Sequence, residues 1–387
     1  MKKFLVCLLS SAFLSGFGVL AASTPSAVLQ TIKAGETMNL NTSSACLMEY
    51  STGEILFEKN SEEHFEPASV TKIMSVLLIE EALDNGSLKK DDIVTASNYA
   101  ASMGGSQIWL EYGEQFTVDE MLKAIMIVSA NDCTVAMAEH LAGSEETFVA
   151  MMNERAKELS MNNTNFVNCT GLPEENHYSC AKDIAIMTRE LLKHPDILNY
   201  TTIWMDSLRN NTMGLVNTNK LIRFYKGATG MKTGYTQSAG YCLSGTAQKN
   251  DMQLIAAVMK AESSDKRFED AKKLLDYGFA NFTVFNIDDM PLDPIPVKGS
   301  SKASVNIKNI TSSVLLPKGK EKSVETVTSL PEYLTAPVHC GDVIGSITYA
   351  VSGEEIAKSD IIAAEDAEKI TFTEIFLNIL KKTVMIR

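Results

Sequence analysis

Positive charge is scarce in this sequence. Only 35 of its 387 residues are Lys or Arg, against 48 Asp or Glu, so the formal net charge is −13 at pH 7. Nucleic-acid binding needs a basic face that neutralises phosphates, and no basic stretch stands out here. The chain also has no internal repeat and no low-complexity tract. The sequence therefore predicts a globular protein without a nucleic-acid partner.

Metal-binding patterns are missing as well. The seven cysteines form no C-x-x-C pair, and none stands at metal-ligand spacing from any of the five histidines. We therefore expect no metal centre and no cofactor. Cys7 lies in the N-terminal segment, and the remaining even number permits disulfides in an exported protein without indicating a pairing. Isolated buried thiols are the favoured interpretation of these six residues: Cys46, Cys133, Cys169, Cys180, Cys242 and Cys340.

The longest apolar run is at the N-terminus. Lys2 and Lys3 precede the apolar stretch Phe4–Leu20, and small residues follow it. This order is typical of a cleaved export signal, which we assign to residues 1–22. A retained membrane anchor is the alternative, but the run is short for a membrane span. No cysteine stands at the expected cleavage site, which argues against lipid attachment there.

The region from residue 40 onward begins with a strand pattern and continues with helices. The segments Ala45–Tyr50 and Glu54–Glu58 predict a hairpin with a turn between them. An apolar helix follows, for which Pro67 fits the first position and Asn85 marks the end. Its apolar residues recur at helical spacing and form an apolar stripe of Ile73, Met74, Leu77, Leu78 and Leu83.

A pair of helices separated by a short break is predicted next. Thr117 and Glu120 form a capping box that begins the first of them. The break falls at Ser129–Asn131, and the second helix runs to Leu141 and is closed by Gly143. Side chains in such a break can project from a fixed turn.

Strands return after residue 230. Met231–Thr236, Tyr241–Ala247 and Leu254–Lys260 are short apolar runs with turn-like residues between them. Because short connections join only antiparallel strands, the sheet should be largely antiparallel. Phe268–Tyr277 then predicts an amphipathic helix with Gly278 as its stop. We expect an α/β (α+β) domain over residues 40–282, with helices on both faces of the sheet.

The composition changes around Asn286–Pro296, where Asp and Pro predict a linker. Several short alternating segments follow and predict a small all-β domain over residues 290–364. These segments are Val305–Ile310, Ser313–Leu316, Val324–Thr328, Val343–Val351 and Ile356–Ile362.

The last residues return to helical spacing. Apolar residues between Phe372 and Val384 fall on one side of a helix, and basic residues stand near its end. The segment is too polar to span a bilayer, but it could lie in the membrane interface. We therefore predict an amphipathic, membrane-associating helix over residues 366–387. A helix docked on the β domain is the alternative.

Ser69 and Lys72 form an S-x-x-K element at the start of the predicted apolar helix. A hydroxyl is a poor nucleophile until a base takes its proton, and this spacing places both side chains on one helix face. The first helical turn also favours negative charge. Lys72 can act as the base only when it is neutral, which burial would favour. The motif alone has low specificity, because the same spacing recurs at Ser87/Lys90, Ser179/Lys182 and Ser263/Lys266.

Two further elements could complete such a site. Ser129 and Asn131 form an S-x-N element, in which a hydroxyl could protonate a leaving amine and an amide could hold a peptide group. In Lys232-Thr233-Gly234, Lys232 supplies a positive charge, Thr233 can bind a carboxylate, and Gly234 leaves room for a substrate backbone. The S-x-N element alone could be an ordinary turn, and the K-T-G element alone could be an exposed strand. The order of all three elements along the chain, with S-x-x-K on a helix, S-x-N on a turn and K-T-G on a strand, is much more specific.

The sequence resembles the low-molecular-mass penicillin-binding proteins of the D-alanyl-D-alanine carboxypeptidase type. The similarity covers about residues 40–280, and the later β region matches the layout of the family. It rests on these segments: Pro67-Ala68-Ser69-Val70-Thr71-Lys72-Ile73-Met74, Ser129-Ala130-Asn131-Asp132, Asn168-Cys169-Thr170-Gly171-Leu172, His177-Tyr178-Ser179, Gly230-Met231-Lys232-Thr233-Gly234-Tyr235-Thr236, Ala239-Gly240-Tyr241 and Leu274-Leu275-Asp276-Tyr277-Gly278-Phe279.

The resemblance implies a serine transpeptidase/β-lactamase-like fold and a set of roles. Ser69 would attack the carbonyl between the last two D-alanines of a peptidoglycan stem peptide, and Lys72 would take its proton. Ser129 would protonate the leaving D-alanine, and Asn131 would orient the peptide. Lys232 and Thr233 would hold the terminal carboxylate, and Gly234 and Tyr235 would also bind the substrate. The backbone N–H groups of Ser69 and Tyr235 would form the oxyanion hole. His177 would be structural.

The resemblance also implies partners and a location. β-Lactam antibiotics would be covalent inhibitors, and the enzyme would act at the outer face of the cytoplasmic membrane. Three alternatives stay open. Glu174 or Glu175 could serve a class A β-lactamase, cross-linked peptides could be cleaved or formed by the same motifs, and the fold could serve as a wall-binding scaffold.

Overall fold

The computed structural model describes residues 38–286, 292–310 and 313–384. The predicted signal segment, residues 1–22, lies outside them. Within the described ranges, no helix combines the length and the apolar character that crossing a membrane requires.

The strands, in chain order, are β1 Ser44–Glu49, β2 Ile55–Lys59, β3 Ile93–Thr95, β4 Gln115–Thr117, β5 Met205–Leu208, β6 Met213–Val216, β7 Ala228–Thr236, β8 Gly240–Lys249, β9 Met252–Ala261, β10 Phe282–Asn286, β11 Ile295–Lys298, β12 Ser304–Val305, β13 Ile307–Asn309, β14 Ser313–Pro317, β15 Val324–Ser329, β16 Leu334–Thr335, β17 Val343–Val351 and β18 Glu354–Ala363.

The α-helices are α1 Lys72–Asp84, α2 Asn98–Ala101, α3 Val118–Ile127, α4 Asn131–Ala142, α5 Glu145–Glu158, α6 Ala181–Leu191, α7 Leu198–Thr201, α8 Leu221–Phe224, α9 Ser264–Asn281 and α10 Phe372–Val384. Short 3-10 turns occupy Ala68–Thr71, Pro195–Ile197 and Glu321–Ser323.

A five-stranded sheet in the order β2-β1-β9-β8-β7 forms the centre of the larger domain, and every pair in it is antiparallel. This confirms the predicted antiparallel sheet. Alternate residues of β1 enter two different apolar cores, with Cys46 and Met48 on one face and Ala45 and Leu47 on the other. The sheet is therefore covered by helices on both faces, as predicted.

Helix α1 differs from its prediction in two ways. It begins at Lys72, because the preceding residues Ala68–Thr71 form a 3-10 turn, so Ser69 does not lie in the first turn of an α-helix. The residues of the predicted apolar stripe, such as Ile73 and Leu77, are buried as expected, but burial extends well beyond the stripe and includes Lys72 and Glu80. Residues three apart eclipse each other in a 3-10 turn, so Ser69 and Lys72 still share one side.

The break between α3 and α4 forms as predicted. Thr117 and Glu120 make the reciprocal capping bonds that begin α3. Ser129 then adopts a left-handed φ of 67°, and α4 begins at Asn131 and is capped by Gly143, whose φ is 80°. The chain thus reverses between two buried helices and leaves Ser129 on the turn.

The prediction that Gly278 ends its helix is wrong. Helix α9 continues to Asn281, and Gly278 lies inside it. A Cβ built at this position would lie only 2.5 Å from Leu254 Cδ1 and 3.2 Å from Leu47 Cδ2. The glycine therefore allows the helix to pack closely on the central sheet.

The C-terminal β region contains three small sheets: β10-β14, β12-β11-β16 and β13-β18-β17-β15. The all-β pattern is confirmed, but the predicted linker Asn286–Pro296 is partly wrong, since β11 already begins at Ile295. Helix α10 follows, and several of its apolar side chains are exposed: Phe372, Ile375, Phe376, Leu377, Ile379 and Leu380.

None of the cysteines within the described residues forms a disulfide. The interpretation as isolated buried thiols is confirmed for five of them, whereas Cys340 is exposed. Cys133 and Cys180 are fully buried.

Candidate active site

The nucleophile candidate Ser69 lies in the 3-10 turn between a loop and α1. Two glycines allow other segments to approach this turn. A Cβ at Gly234 would lie 2.9 Å from Pro67 O and 3.0 Å from Ser69 N, and a Cβ at Gly171 would overlap with Ala68 O. Strand β7 and the loop before α6 therefore both pack directly against the turn that carries Ser69.

Lys72 contacts Ser69 directly. Its Nζ donates to Ser69 Oγ at 3.1 Å, to Asn131 Oδ1 at 2.6 Å and to Thr170 O at 2.7 Å. The side chain has no exposed surface. Three acceptors from three different segments thus fix the amine beside the hydroxyl.

The charge state of Lys72 follows from this burial. Desolvation lowers its pKa from the usual value to about 7, although Cys169 and Asp132 oppose the shift. A lysine with a pKa near 7 is neutral in about half of the molecules at neutral pH. The amine can therefore accept a proton from Ser69, which an ordinary lysine could not do at that pH.

The acceptor Thr170 O belongs to a loop that is held by Asn168. Its Oδ1 accepts from the backbone N–H groups of Thr170 at 3.2 Å and Gly171 at 2.7 Å, and its Nδ2 donates to Leu172 O at 2.9 Å. The amide side chain closes the loop on itself and so orients the carbonyl toward Lys72.

His177 has contacts that suit a structural role. Its Nδ1 accepts from Val167 N at 3.0 Å, so Nε2 carries the proton and donates to Thr71 Oγ1 at 2.9 Å. Burial lowers the pKa of His177 to about 4, and the ring stays neutral. The imidazole therefore links the side chain of Thr71 to the backbone at Val167, and among the described residues it forms no hydrogen bond with Ser69 or Lys72.

The S-x-N element contacts Lys72 through Asn131. Asn131 accepts from Lys72 through Oδ1, and its Nδ2 donates to Gly104 O at 2.7 Å. Ser129 is only 4% exposed, and its Oγ has no hydrogen-bond partner among the described residues. An unpaired buried hydroxyl costs free energy, so this group is poised for a partner from outside the protein.

Asp132, next to Asn131, holds the loop that contains Ile108 and Leu110. Its carboxylate accepts from the backbone N–H groups of Ile108 and Leu110, each at 3.0 Å. Asn131 N in turn donates to Ser106 O at 2.7 Å. The S-x-N turn is thereby held to the loop from both directions.

The K-T-G element lies on β7, where both polar side chains are buried. Lys232 Nζ donates only to Thr233 O, at 3.2 Å, among the described residues. Thr233 Oγ1 shares a hydrogen bond of 2.7 Å with Thr218 Oγ1. Burial, Lys72 and Arg267 hold the pKa of Lys232 well below its usual value.

A negatively charged ligand would raise the pKa of Lys232 again. A carboxylate beside Lys232 favours the ammonium form, because opposite charges attract strongly at a site of low dielectric. The under-coordinated Lys232 and its neighbour Thr233 therefore suit an anion that arrives with a ligand.

Arg267 forms hydrogen bonds with the backbone of β7 and β8. This nearly buried side chain on α9 donates from Nη1 to Gly234 O at 2.9 Å and to Cys242 O at 3.2 Å. Tyr235 is exposed, and its ring lies against that of Tyr241 at a centroid distance of 4.4 Å, with the two planes tilted by 31°. The backbone at residues 234–235 is thus fixed next to Ser69.

The structure brings several of the predicted site residues together. Hydrogen bonds join Ser69, Lys72 and Asn131, and the close approach of Gly234 places β7 beside them. Sequence reasoning missed the carbonyl of Thr170 and the guanidinium of Arg267. The Asn168–Leu172 stretch was a signal for the first, whereas nothing in the sequence of α9 marked the second.

Comparison with known families agrees with this geometry. Residues 30–263 match the D-alanyl-D-alanine carboxypeptidase family, and residues 279–369 match the penicillin-binding protein 5, C-terminal domain family. The first match covers more than half of the chain.

Individual relatives extend the similarity over both domains. The D-alanyl-D-alanine carboxypeptidase DacF of Bacillus subtilis is 45% identical over 348 residues, which cover 88% of each chain. The structure is similar to penicillin binding protein 5 from Haemophilus influenzae, with a TM-score of 0.78, 31% identity and coverage of 86% of this chain and 99% of that one.

A ligand-bound structure is also similar. Penicillin-Binding Protein D2 from Listeria monocytogenes, solved in the ampicillin bound form, gives a TM-score of 0.58 at 30% identity. The match covers 63% of this chain and the whole of the Listeria chain. The chain belongs to the D-alanyl-D-alanine carboxypeptidase family, a family of serine hydrolases.

Proposed function

We propose that this protein removes the C-terminal D-alanine from peptidoglycan stem pentapeptides through an acyl-enzyme on Ser69. The observation that carries the proposal is the 3.1 Å hydrogen bond between Ser69 Oγ and the buried Lys72 Nζ, whose pKa is lowered to about 7. This pair supplies a nucleophile and a base in contact at neutral pH. Family membership supports the substrate.

Acylation begins with neutral Lys72. Its amine takes the proton of Ser69 as Oγ attacks the carbonyl carbon between the last two D-alanines. The carbonyl oxygen becomes an oxyanion, which the N–H groups of Ser69 and Tyr235 stabilise. The close approach of Gly234 to Ser69 N supports this pairing of donors. The C–N bond then breaks and leaves an ester on Ser69.

The leaving group is D-alanine, whose nitrogen needs a proton. Ser129 is suited to pass one from Lys72, because its buried Oγ has no partner among the described residues. Lys232 and Thr233 hold the carboxylate of the departing residue, while Asn131 holds Lys72 and orients the peptide. Water then hydrolyses the ester and frees Ser69.

The same pocket would accept β-lactams. A penicillin offers a strained amide and a carboxylate, so Ser69 would open its ring and remain acylated. The ampicillin bound form of the Listeria protein supports this expectation. We therefore expect β-lactams to act as covalent inhibitors.

The decisive experiment is mass spectrometry after incubation with penicillin, together with D-alanine release from a peptide ending in D-Ala-D-Ala. We expect a penicilloyl adduct on Ser69 and free D-alanine. Ser69→Ala should lose both, whereas Ser87→Ala, which alters another S-x-x-K spacing, should keep both. An adduct without D-alanine release would favour action on cross-links, and no adduct would contradict the mechanism.

We further propose that the protein works outside the cytoplasmic membrane and is held to it by residues 366–387. The apolar side chains exposed on α10 support this, because Phe372 is 81% and Ile379 60% exposed. Residues 1–22 would be the export signal. The proposed domains are residues 40–282 for catalysis and 290–364 for the β domain.

Deletion of residues 366–387 tests the attachment. We expect the truncated protein to leave the membrane fraction with its carboxypeptidase activity intact, because the catalytic pocket lies in the other domain. Continued retention would favour an uncleaved N-terminal segment instead.

A further inference from the structure

Lys72 is held by two acceptors besides Ser69, and both belong to segments outside its own helix. Asn131 Oδ1 and Thr170 O accept from Lys72 Nζ at 2.6 Å and 2.7 Å. Asn131 Nδ2 in turn donates to Gly104 O at 2.7 Å. The position of the amine therefore depends on two loops, the one that contains Gly104 and the one that contains Thr170.

Glu145 joins these two loops with one carboxylate. Its Oε1 accepts from Cys169 N at 2.9 Å, and its Oε2 accepts from the hydroxyl of Tyr99 at 2.6 Å. Cys169 immediately precedes Thr170 in the chain, and Tyr99 lies on α2, which ends three residues before Gly104. Each oxygen of the carboxylate thus holds a different loop. We call these two hydrogen bonds the Glu145 bridge.

The backbone that carries Glu145 is well fixed. Glu145 is the first residue of α5, and Ser144 caps this helix by accepting from Thr147 N at 3.1 Å. Phe148, on the same helix, has no exposed surface and belongs to the larger apolar core. A carboxylate in the first turn is also favoured by the partial positive charge of a helix N-terminus. The bridging carboxylate is therefore attached to a rigid element.

The backbone of Cys169 is held on both of its polar groups. Cys169 O accepts from Ser75 Oγ at 2.6 Å, and Ser75 lies on α1 three residues after Lys72. Glu145 holds the N–H of the same cysteine. Because both groups are fixed, the carbonyl of the next residue, Thr170, is directed at Lys72.

We propose that Glu145 is a positioning residue that holds the two loops flanking Lys72 and so keeps the amine beside the nucleophile. This inference rests on the proposed carboxypeptidase mechanism, in which Lys72 is the base. Within the described residues Glu145 makes no hydrogen bond to Ser69 or Lys72, so it acts on the reaction through the loops that it joins.

Two substitutions separate the bridge from the charge of Glu145. Glu145→Ala removes both hydrogen bonds. Glu145→Gln removes the charge and keeps a bridge, since the amide oxygen can accept from Cys169 N and the amide nitrogen can donate to the oxygen of Tyr99. Glu146→Ala is the matched control, because Glu146 is an exposed acidic residue in the same first turn of α5.

The rate of acylation by a neutral ester is measured for each variant from pH 5 to 10. We expect Glu145→Ala to lower the plateau rate at high pH by about tenfold, because a displaced base transfers protons poorly. Asn168 still bonds to the loop of Thr170, which limits the loss. Glu145→Gln should stay within about twofold of the wild type, and Glu146→Ala should match the wild type.

The pH dependence is a readout that a merely structural role would not change. The wild-type rate should rise through the pKa of Lys72, near pH 7. When Thr170 O turns away, the ammonium form loses an acceptor, so Glu145→Ala should lower that pKa further and move the rising limb to lower pH by roughly half a unit. Glu145→Gln should leave the limb in place. The titratable groups that face Lys72 are the same in every variant: Asp132, Cys169 and Lys232.

Tyr99→Phe tests the bridge with a milder change. It breaks only the hydrogen bond to Tyr99 and leaves the bond from Cys169 N to Glu145. We expect the plateau rate to fall about twofold, because a single half-exposed hydrogen bond is lost. If Glu145→Ala does not fold, Tyr99→Phe takes its place, and a wild-type rate in Tyr99→Phe would then overturn the proposal.

Three further results would overturn it. The first is a wild-type plateau in Glu145→Ala, and the second is a lowered plateau with an unmoved limb. The third is an equal loss in Glu145→Gln, which would show that the charge and not the bridge matters. Failure of the proposed function looks different, since the wild type would then form no penicilloyl adduct on Ser69 and would give no acylation rate to compare.

Discussion

The two buried lysines of the active site lie in contrasting surroundings. Lys72 donates to three acceptors, from Ser69, Asn131 and Thr170, and the longest of these bonds is 3.1 Å. Lys232 donates to one backbone carbonyl, at 3.2 Å, among the described residues. Both are fully or almost fully buried, and burial lowers the pKa of each.

The difference indicates two uses of the same side chain. Lys72 is held in place before any substrate arrives, which suits a base that must stay beside one hydroxyl. Lys232 is left with unused donors, which suits a group that completes its bonding with a ligand carboxylate. Burial alone does not distinguish these roles, whereas the number of internal acceptors does.

The largest effect should come from removing the base. We expect Lys72→Ala to reduce the rate of penicillin acylation by about 100-fold to 10,000-fold, the usual contribution of a general base. Lys90→Ala, at an exposed ion pair with Asp196, should leave the rate unchanged. Stopped-flow acylation measures both. A near-normal rate in Lys72→Ala would place the base elsewhere.

A smaller but more selective loss should follow from Lys232→Met. A charge-assisted hydrogen bond contributes about 1.5–3 kcal/mol, which corresponds to a loss of roughly 10-fold to 150-fold in kcat/KM for a peptide acid. The same peptide with an amidated C-terminus should be cleaved slowly and at equal rates by both proteins. If the variant lost activity equally on both peptides, Lys232 would not be the carboxylate partner.

Asn131→Asp should move the pH dependence rather than abolish activity. The base must be neutral, so wild-type kcat/KM should rise with pH through the pKa of Lys72, near pH 7. A carboxylate at the position of Asn131 Oδ1, 2.6 Å from Nζ, favours the ammonium form and raises that pKa.

The rising limb should therefore shift to higher pH by about one unit or more, and activity at pH 7 should fall about tenfold. Rates measured from pH 5 to 10 with a neutral ester substrate would detect the shift without disturbing Lys232. An unchanged limb in Asn131→Asp would show that Lys72 does not control it.

Local chemistry made much of the fold predictable. The capping box of Thr117 and Glu120 and the left-handed cap at Gly143 depend on neighbouring residues alone, and both formed as expected. The prediction that Gly278 ends its helix failed, because the role of this glycine depends on Leu47 and Leu254, which are distant in the sequence. A glycine at a helix end and a glycine at a helix–sheet contact have the same local appearance.

The site shows the same division. The order of the three motifs, the family that they indicate and the chemistry of Ser69 and Lys72 were all readable from residue types and spacing. Of the acceptors that hold Lys72, the carbonyl of Thr170 was marked only indirectly, by the Asn168–Leu172 stretch, since a backbone carbonyl has no side-chain signature. The sequence also did not show that Ser69 lies in a 3-10 turn. Gly171 and Gly234, which are distant in the sequence, pack against this turn.

The sequence by itself thus determined which groups are available: a hydroxyl, two amines, an amide and an excess of carboxylates. The tertiary structure decided the surroundings of each group, because desolvation and hydrogen-bond partners set the pKa of Lys72 near 7 and leave Lys232 with one hydrogen bond among the described residues. These effects arise from segments that are far apart along the chain, such as Lys72 and Thr170, which are separated by 98 positions. Only folding brings them within the few ångströms over which they act.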